Sequence, residues 1–280
     1  MIEDALKAAV LGIVQGLTEF LPVSSTGHLI IAEKAMGVSQ DRYGLAFDVA
    51  LHMGTLLALL AFFGTTWVRL FRGGLRTLRD HSIGDPEGRL AWLIVFGSIP
   101  AGVAGVLLES KVEDAFREPA LVASMLIAFS AVFVAAEAWG RRTRTMSQLG
   151  WTDALIIGVA QAVALVPGVS RSGSTICAGL LRDMERREAA SFAFLLSAPI
   201  IAGAGLKKMA SVVGEFADGT YHGEDFVFFA TGFICSAIVG WFAIRFLLAF
   251  LTTNSLRSFV IYRVGLGVVV IAVVVVQALV

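Results

Sequence analysis

The stretch "QGLTEFLPVSSTGHLI", Gln15 to Ile30, decides the fold. Between Glu19 and His28 it sets a glutamate, two serines, a threonine and a histidine around a proline, inside a run otherwise apolar enough to enter a membrane. Pro22 ends a helix arriving from Gln15, because its ring has no N–H to donate and clashes with the preceding turn. Broken backbone at membrane depth is tolerated where protein or a polar cavity surrounds it. The stretch therefore reads as the tip of a re-entrant helix–loop–helix hairpin over residues 5–36.

Composition sets the same frame. The chain has 280 residues, 57% hydrophobic and 16% charged, with a mean hydropathy of +0.80. A soluble domain carries about 25% charge, so the shortfall points to a polytopic membrane protein with membrane lipid as its surroundings. Twenty-two basic and 22 acidic residues cancel, which argues against nucleic acid as a partner. Cys177 and Cys235 lie in apolar stretches and make no disulfide framework. Glu3 and Asp4 stand where a signal peptide wants lysine or arginine, so the N-terminus is expected to stay as structure.

Charge-free runs predict six spanning helices: Val49–Val68, Leu90–Leu108, Pro119–Ala136, Ala189–Leu206, Phe226–Ile244 and Val264–Val280, the last with a lead-in from Ser258. Each is about as long as a helix must be to cross roughly 30 Å of hydrocarbon. Residues 154–182 form a second interrupted stretch, broken at "VPGVSRSGS". Its two pieces reach only about 20 and 15 Å, too short to cross alone. The expected fold is thus all-α, with six spanning helices and two re-entrant hairpins, 5–36 and 154–182.

The two hairpins are alike. With an offset of 146, Gly12 meets Gly158, Gln15 meets Gln161, Ser24 meets Ser170 and Gly27 meets Gly173. Pro22 and Pro167 fall one residue out of step. Each hairpin is followed by three spanning runs, giving a first repeat over 1–140 and a second over 151–280. An odd number of crossings per repeat inverts the second copy, an arrangement that brings broken helices together near the midplane. Loops 69–89, 140–150, 182–188 and 249–257 hold twelve lysines and arginines, against six in 33–44, 109–118 and 207–225. The richer set is expected in the cytoplasm, with both termini outside. Arg245 and Arg263, near helix ends, are expected to snorkel.

The polar residues of the two breaks complement one another. Gln15 and Glu19 share a helix face, as do Ser25 and His28. Gly12 and Gly16 would let another helix come close, and Ser24 or Ser25 can cap the helix after Pro22. A serine hydroxyl beside an imidazole is the pairing that activates a nucleophile. In the second break Arg171 is flanked by Gly168, Ser170, Ser172 and Gly173, a guanidinium at a helix start suited to phosphate oxygens. Serines near a proline often only satisfy backbone, but Glu19 and Arg171 would each cost about 2.5–3.5 kcal/mol at a bilayer centre. A purely structural ion pair would not need the serine and histidine as well. "GVSRSGST", Gly168 to Thr175, falls short of a nucleotide-binding P-loop because Ser174 replaces the lysine and no strand precedes it.

"QGLTEFLPVSSTGH" and "PGVSRSGST" closely resemble the two signature segments of the undecaprenyl-diphosphate phosphatase family, integral membrane enzymes of bacteria that confer bacitracin resistance. The resemblance implies removal of the terminal phosphate from undecaprenyl diphosphate at the outer face of the plasma membrane, recycling the carrier for cell-wall synthesis. On that reading Arg171 binds the diphosphate, helped by backbone near Gly168, Ser170, Ser172, Gly173 and Thr26. Glu19, with Gln15 as a neutral helper, would hold Mg²⁺ or Ca²⁺, hard ions that prefer oxygen. Some family members have a second glutamate where this chain has Gln15. Ser25 is the candidate nucleophile with His28 as its base, and His28 as direct nucleophile competes. Asp48 and His52 are placed at the pocket rim, where an interfacial role is the plainer reading. An inverted-repeat transporter or flippase for a phosphorylated polyprenyl lipid is the rival function. A nucleophile pair is superfluous for transport. Oligomeric state, a homodimer included, is left open.

Overall fold

A computed structural model describes residues 2–38, 44–115 and 118–279. The described residues are helical almost throughout, with only an isolated bridge between Arg144 and Met184 outside the helices and turns. Helices α1 (Ile2–Phe20) and α2 (Ser25–Met36) flank the first break. Then come α3 (Gly44–Phe62), α4 (Gly64–Asp80), α5 (Pro86–Ala115) and α6 (Pro119–Trp139). Helices α7 (Trp151–Val163) and α8 (Arg171–Leu181) flank the second break, and α9 (Arg186–Ala217), α10 (Gly223–Phe250) and α11 (Arg257–Leu279) complete the chain.

Five of these, α5, α6, α9, α10 and α11, are long and apolar enough to cross a membrane, and α3 with α4 makes a sixth only as a bent pair. Here the run expected from Val49 to Val68 is corrected. It breaks at Phe63, and α4 leaves α3 at 78°. The reason is the content of α4. Val68, Phe71, Leu75 and Leu78 form one exposed apolar stripe, and Arg69, Arg72, Arg76 and Arg79 form another alongside it. Leu70, Gly73 and Thr77 make the third face, which is buried. Such a helix suits a membrane surface better than its interior.

The breaks fall where Pro22 and Pro167 predict, and they share a backbone signature. Ser24 (φ 74°) and Ser170 (φ 79°) precede α2 and α8 in left-handed conformations that non-glycine residues seldom adopt. Ser170 Oγ accepts from the Gly173 N–H at 3.2 Å, so it caps α8. Ser24 precedes α2 without a side-chain cap.

Close approach through small residues also matches the sequence reading. A Cβ added to Gly12 would stand 2.6 Å from the Gly232 carbonyl oxygen of α10. One added to Gly158 would overlap the Gly97 carbonyl of α5.

The four loops rich in arginine meet at one end of the molecule. Arg89 donates to the Leu149 carbonyl at 2.8 Å. Arg144 and Arg182 both reach Asp153, at 2.7 and 2.6 Å. Glu137 takes Arg186 at 2.6 Å and the Leu256 N–H at 2.8 Å. Two of the basic residues counted on the opposite side, Arg42 and Arg117, lie outside the described residues.

Candidate active site

The two breaks touch. Arg171, the first residue of α8, is ion-paired to Glu19 at the end of α1 through Nη2 and Oε1. Ser172 Oγ donates to the Leu21 carbonyl at 3.2 Å. Residues 152 positions apart are thereby held in one cluster.

Glu19 is its centre. The side chain is 3% exposed, and burial of a carboxylate demands compensation. Oε1 takes the guanidinium. Oε2 accepts from Ser25 Oγ at 2.8 Å and from Gln15 Nε2 at 3.1 Å, and His52 Nε2 lies 3.7 Å from it. A hydroxyl donating to an anion makes a stronger bond than a neutral pair. It also orients the Ser25 oxygen and raises its electron density, which is what a nucleophile needs.

His28 is placed differently from the sequence reading. Its Nδ1 lies 2.8 Å from the Ser24 carbonyl oxygen, which can only accept, so Nδ1 carries the proton. Nε2 is then the acceptor and takes the Tyr262 hydroxyl at 2.7 Å. The two rings stack with centroids 5.6 Å apart. Both ring nitrogens are therefore engaged, and the structure pairs Ser25 with Glu19 instead of with His28.

Arg263 corrects a second expectation. It is fully buried and does not snorkel. Its Nη2 donates to the Gly168 carbonyl at 2.9 Å and to Leu126 at 3.3 Å. Nη1 reaches Pro22 at 3.5 Å, Nε reaches Ser130 Oγ at 3.3 Å, and the guanidinium lies over the Phe133 ring. Pro22 belongs to the first break and Gly168 to the second, so one side chain from α11 braces both. The signal was available: an arginine six residues into α11 sits about 9 Å beyond its start, too deep for an end residue. Arg245, by contrast, is exposed and lies over the Trp241 ring, as a snorkelling residue would.

A cavity of about 310 Å³ opens beside this cluster. Glu19, Ser25, Thr26, Ser170, Arg171, Asp48 and His52 all line it, so both residues placed at the rim belong to its wall. Gln15 stands behind Glu19 and is fully buried, while Ser172 is bonded into the first break. Gly168 has φ +92° and supplies the carbonyl bonded by Arg263. Gly173 packs its bare Cα against Phe133, where a Cβ would overlap the ring. No cluster of three His, Cys, Asp or Glu side chains that could hold a metal occurs among the described residues. The Gln15 Oε1 is buried and has no partner among the described residues, but the atom turned to Glu19 is its Nε2. A hard cation at Glu19 therefore requires that amide to turn over and the carboxylate to exchange Arg171 for the ion.

Comparison with known proteins bears directly on this site. Residues 8–269 match the family described as Bacitracin resistance protein BacA, a match that takes in both breaks and all the polar residues above. The chain belongs to the BacA family. An undecaprenyl-diphosphatase of Rubrobacter xylanophilus is 47% identical over 96% of this chain and 98% of its own length. Those of Thermomicrobium roseum and Mycolicibacterium smegmatis are 44% and 42% identical, over 96% and 95% of this chain and 97% and 95% of their own. The BacA match therefore runs from within α1 into α11, Arg263 and Tyr262 included.

Proposed function

We infer that the chain hydrolyses undecaprenyl diphosphate to undecaprenyl phosphate and inorganic phosphate. This recycles the carrier lipid for cell-wall synthesis and gives bacitracin resistance. The observation that carries the reading is the Ser25–Glu19–Arg171 arrangement at the junction of the two breaks, in a chain of the BacA family.

The reaction sequence uses this chain's own groups. Arg171 engages the terminal phosphate, while its Nη2 is the atom paired with Glu19. Ser25 Oγ attacks the terminal phosphorus while its proton passes to Glu19. The bond from that phosphorus to the bridging oxygen breaks, and undecaprenyl phosphate leaves. Water then cleaves the phosphoserine, releasing inorganic phosphate and restoring Ser25. Positioning and charge neutralisation supply most of the catalysis for such a transfer. A divalent cation, Mg²⁺ or Ca²⁺, would be held by Glu19 and Gln15 and would neutralise diphosphate charge. His28, fixed by Ser24 and Tyr262, supports the backbone that presents Ser25. Direct attack by His28 first requires breaking its bond to Tyr262.

The same reading extends to topology. The paired breaks act as re-entrant hairpins in an inverted repeat, opening the cavity to the outer face of the bacterial plasma membrane. Three observations support this: the matched left-handed serines, the exchange of partners in which α1 packs on α10 and α7 on α5, and the arginine-rich loops gathered at one end. Carriers also use paired broken helices, but transport has no use for a serine hydroxyl held against a carboxylate.

The test is phosphate release by purified protein in detergent from a polyprenyl diphosphate with Mg²⁺ or Ca²⁺. Release that EDTA suppresses is the expected result. No release with either metal leaves only the carrier reading.

A further inference from the structure

Gln161 lies in α7, one turn before the second break. It lines the cavity shared by Glu19, Ser170 and Arg171. The residue is 2% exposed, and neither its Oε1 nor its Nε2 has a hydrogen-bond partner. An amide has two donors and an acceptor with two lone pairs. Burying such a group with nothing to bond is costly, and buried polar groups nearly always find partners. An apolar side chain of the same size would fill the position at lower cost, so the amide calls for a ligand.

The cavity says which kind. Arg171 provides a permanent positive charge and Ser170 a hydroxyl, while α8 points its N-terminus at the same space. These groups favour an anion with several oxygens. Glu19 faces them from the other break. Within the repeat Gln161 occupies the place that Gln15 holds in α1, and Gln15 too keeps an unpartnered oxygen. Gln15, however, spends its amide nitrogen on Glu19, whereas Gln161 keeps both ends open.

We propose that Gln161 is a substrate-binding residue whose amide N–H donates to a non-bridging oxygen of the lipid diphosphate. The proposal rests on the hydrolase reading above and adds a ligand from the second repeat. No side chain or backbone group among the described residues bonds the amide, so it is available to the diphosphate that fills the cavity.

The decisive comparison is Gln161→Met, which keeps the volume and removes the polar atoms. We expect KM for a polyprenyl diphosphate to rise about 10-fold to 100-fold, the range for losing a hydrogen bond to a charged group. The thermal unfolding midpoint should stay level or rise, since a buried unmet amide has gone. A KM within about twofold of wild type overturns the proposal, and so does a lowered midpoint, which would make the amide structural. Gln161→Glu guards against a misfolded first variant: a carboxylate should repel the diphosphate and raise KM further, whereas unchanged KM overturns the claim. A methylene-bridged, non-hydrolysable polyprenyl diphosphonate separates the two readings. Its stabilisation of the wild type should shrink in Gln161→Met even if the wild type released no phosphate, the result that would sink the hydrolase reading alone.

Discussion

The Ser25 hydroxyl stands 2.8 Å from the Glu19 carboxylate, while the imidazole of His28 is tied to Ser24 and Tyr262. Removing each group should therefore have unequal effects. Ser25→Ala is expected to lower kcat by about 10³-fold or more with the fold intact, since nucleophile and general base act as a unit. His28→Asn should cost only about tenfold, read from initial rates of phosphate release. The reverse order would make His28 the nucleophile. Arg171→Ala has a second consequence. It leaves Glu19 buried without its cation, and breaking a buried pair costs about 3–5 kcal/mol, so turnover and thermal midpoint should fall together. Gln15, Glu19, Ser25 and Arg171 were legible as one site because ionisable groups in apolar runs demand a reason. The Ser25–His28 pairing was the part that spacing could not settle. Two residues three apart share a helix face, but Ser25 opens α2, so its side chain faces back into the break while His28 meets α11.

At the scale of elements, charge-free length was a good guide to five spans and a poor one to the path of the first. Val49–Val68 contains no charge, yet the arginines that decide its path begin at Arg69, one residue beyond. The periodicity of 69, 72, 76 and 79 belongs to a surface helix, and it takes the chain out of α3 at Phe63. Nitroxide labels should show this directly. A label at Phe71 is expected to be open to oxygen, a membrane-soluble quencher, and one at Arg72 to a water-soluble nickel chelate. Burial of both in hydrocarbon would restore a straight crossing. Arg263 acts between elements. Its donors reach α6 and both breaks, and lysine carries the same charge on a single point that cannot reach them all. Arg263→Lys should lower stability by about 2–4 kcal/mol, one or two charged hydrogen bonds, as measured by thermal or denaturant unfolding. Because it releases Pro22 and Gly168 together, kcat should fall while KM moves little.

Across the whole molecule, the helices before and after the 140–150 loop are joined in two places by different means. At the active site the joint is the contact between breaks, which the internal likeness of the two hairpins anticipated. At the second place it is a set of ion pairs that no motif announced, since loop arginines read only as a topological signal until their partners are known. Asp153, at the start of α7 and outside the spans, belongs to that set and ties Arg144 of the linking loop to Arg182 after α8. Burial pushes its carboxyl upward, but hydrogen bonds from Arg144, the Gly150 amide and Arg182 outweigh burial and hold it at about 2, below the usual 3.8. A group whose folded value is depressed stabilises the fold above its unfolded value and loses that contribution as pH falls through the folded one. Full stabilisation is thus expected above about pH 4 to 5, with loss between about pH 4 and pH 2. The shift is equivalent to about 2 kcal/mol. Asp153→Asn should lower the thermal midpoint at pH 7 and flatten its decline between pH 5 and 3 relative to wild type. An unchanged pH profile would mean that the arginine-rich end is held by its backbone contacts alone, such as Thr143 and Arg144 to the Asp183 carbonyl.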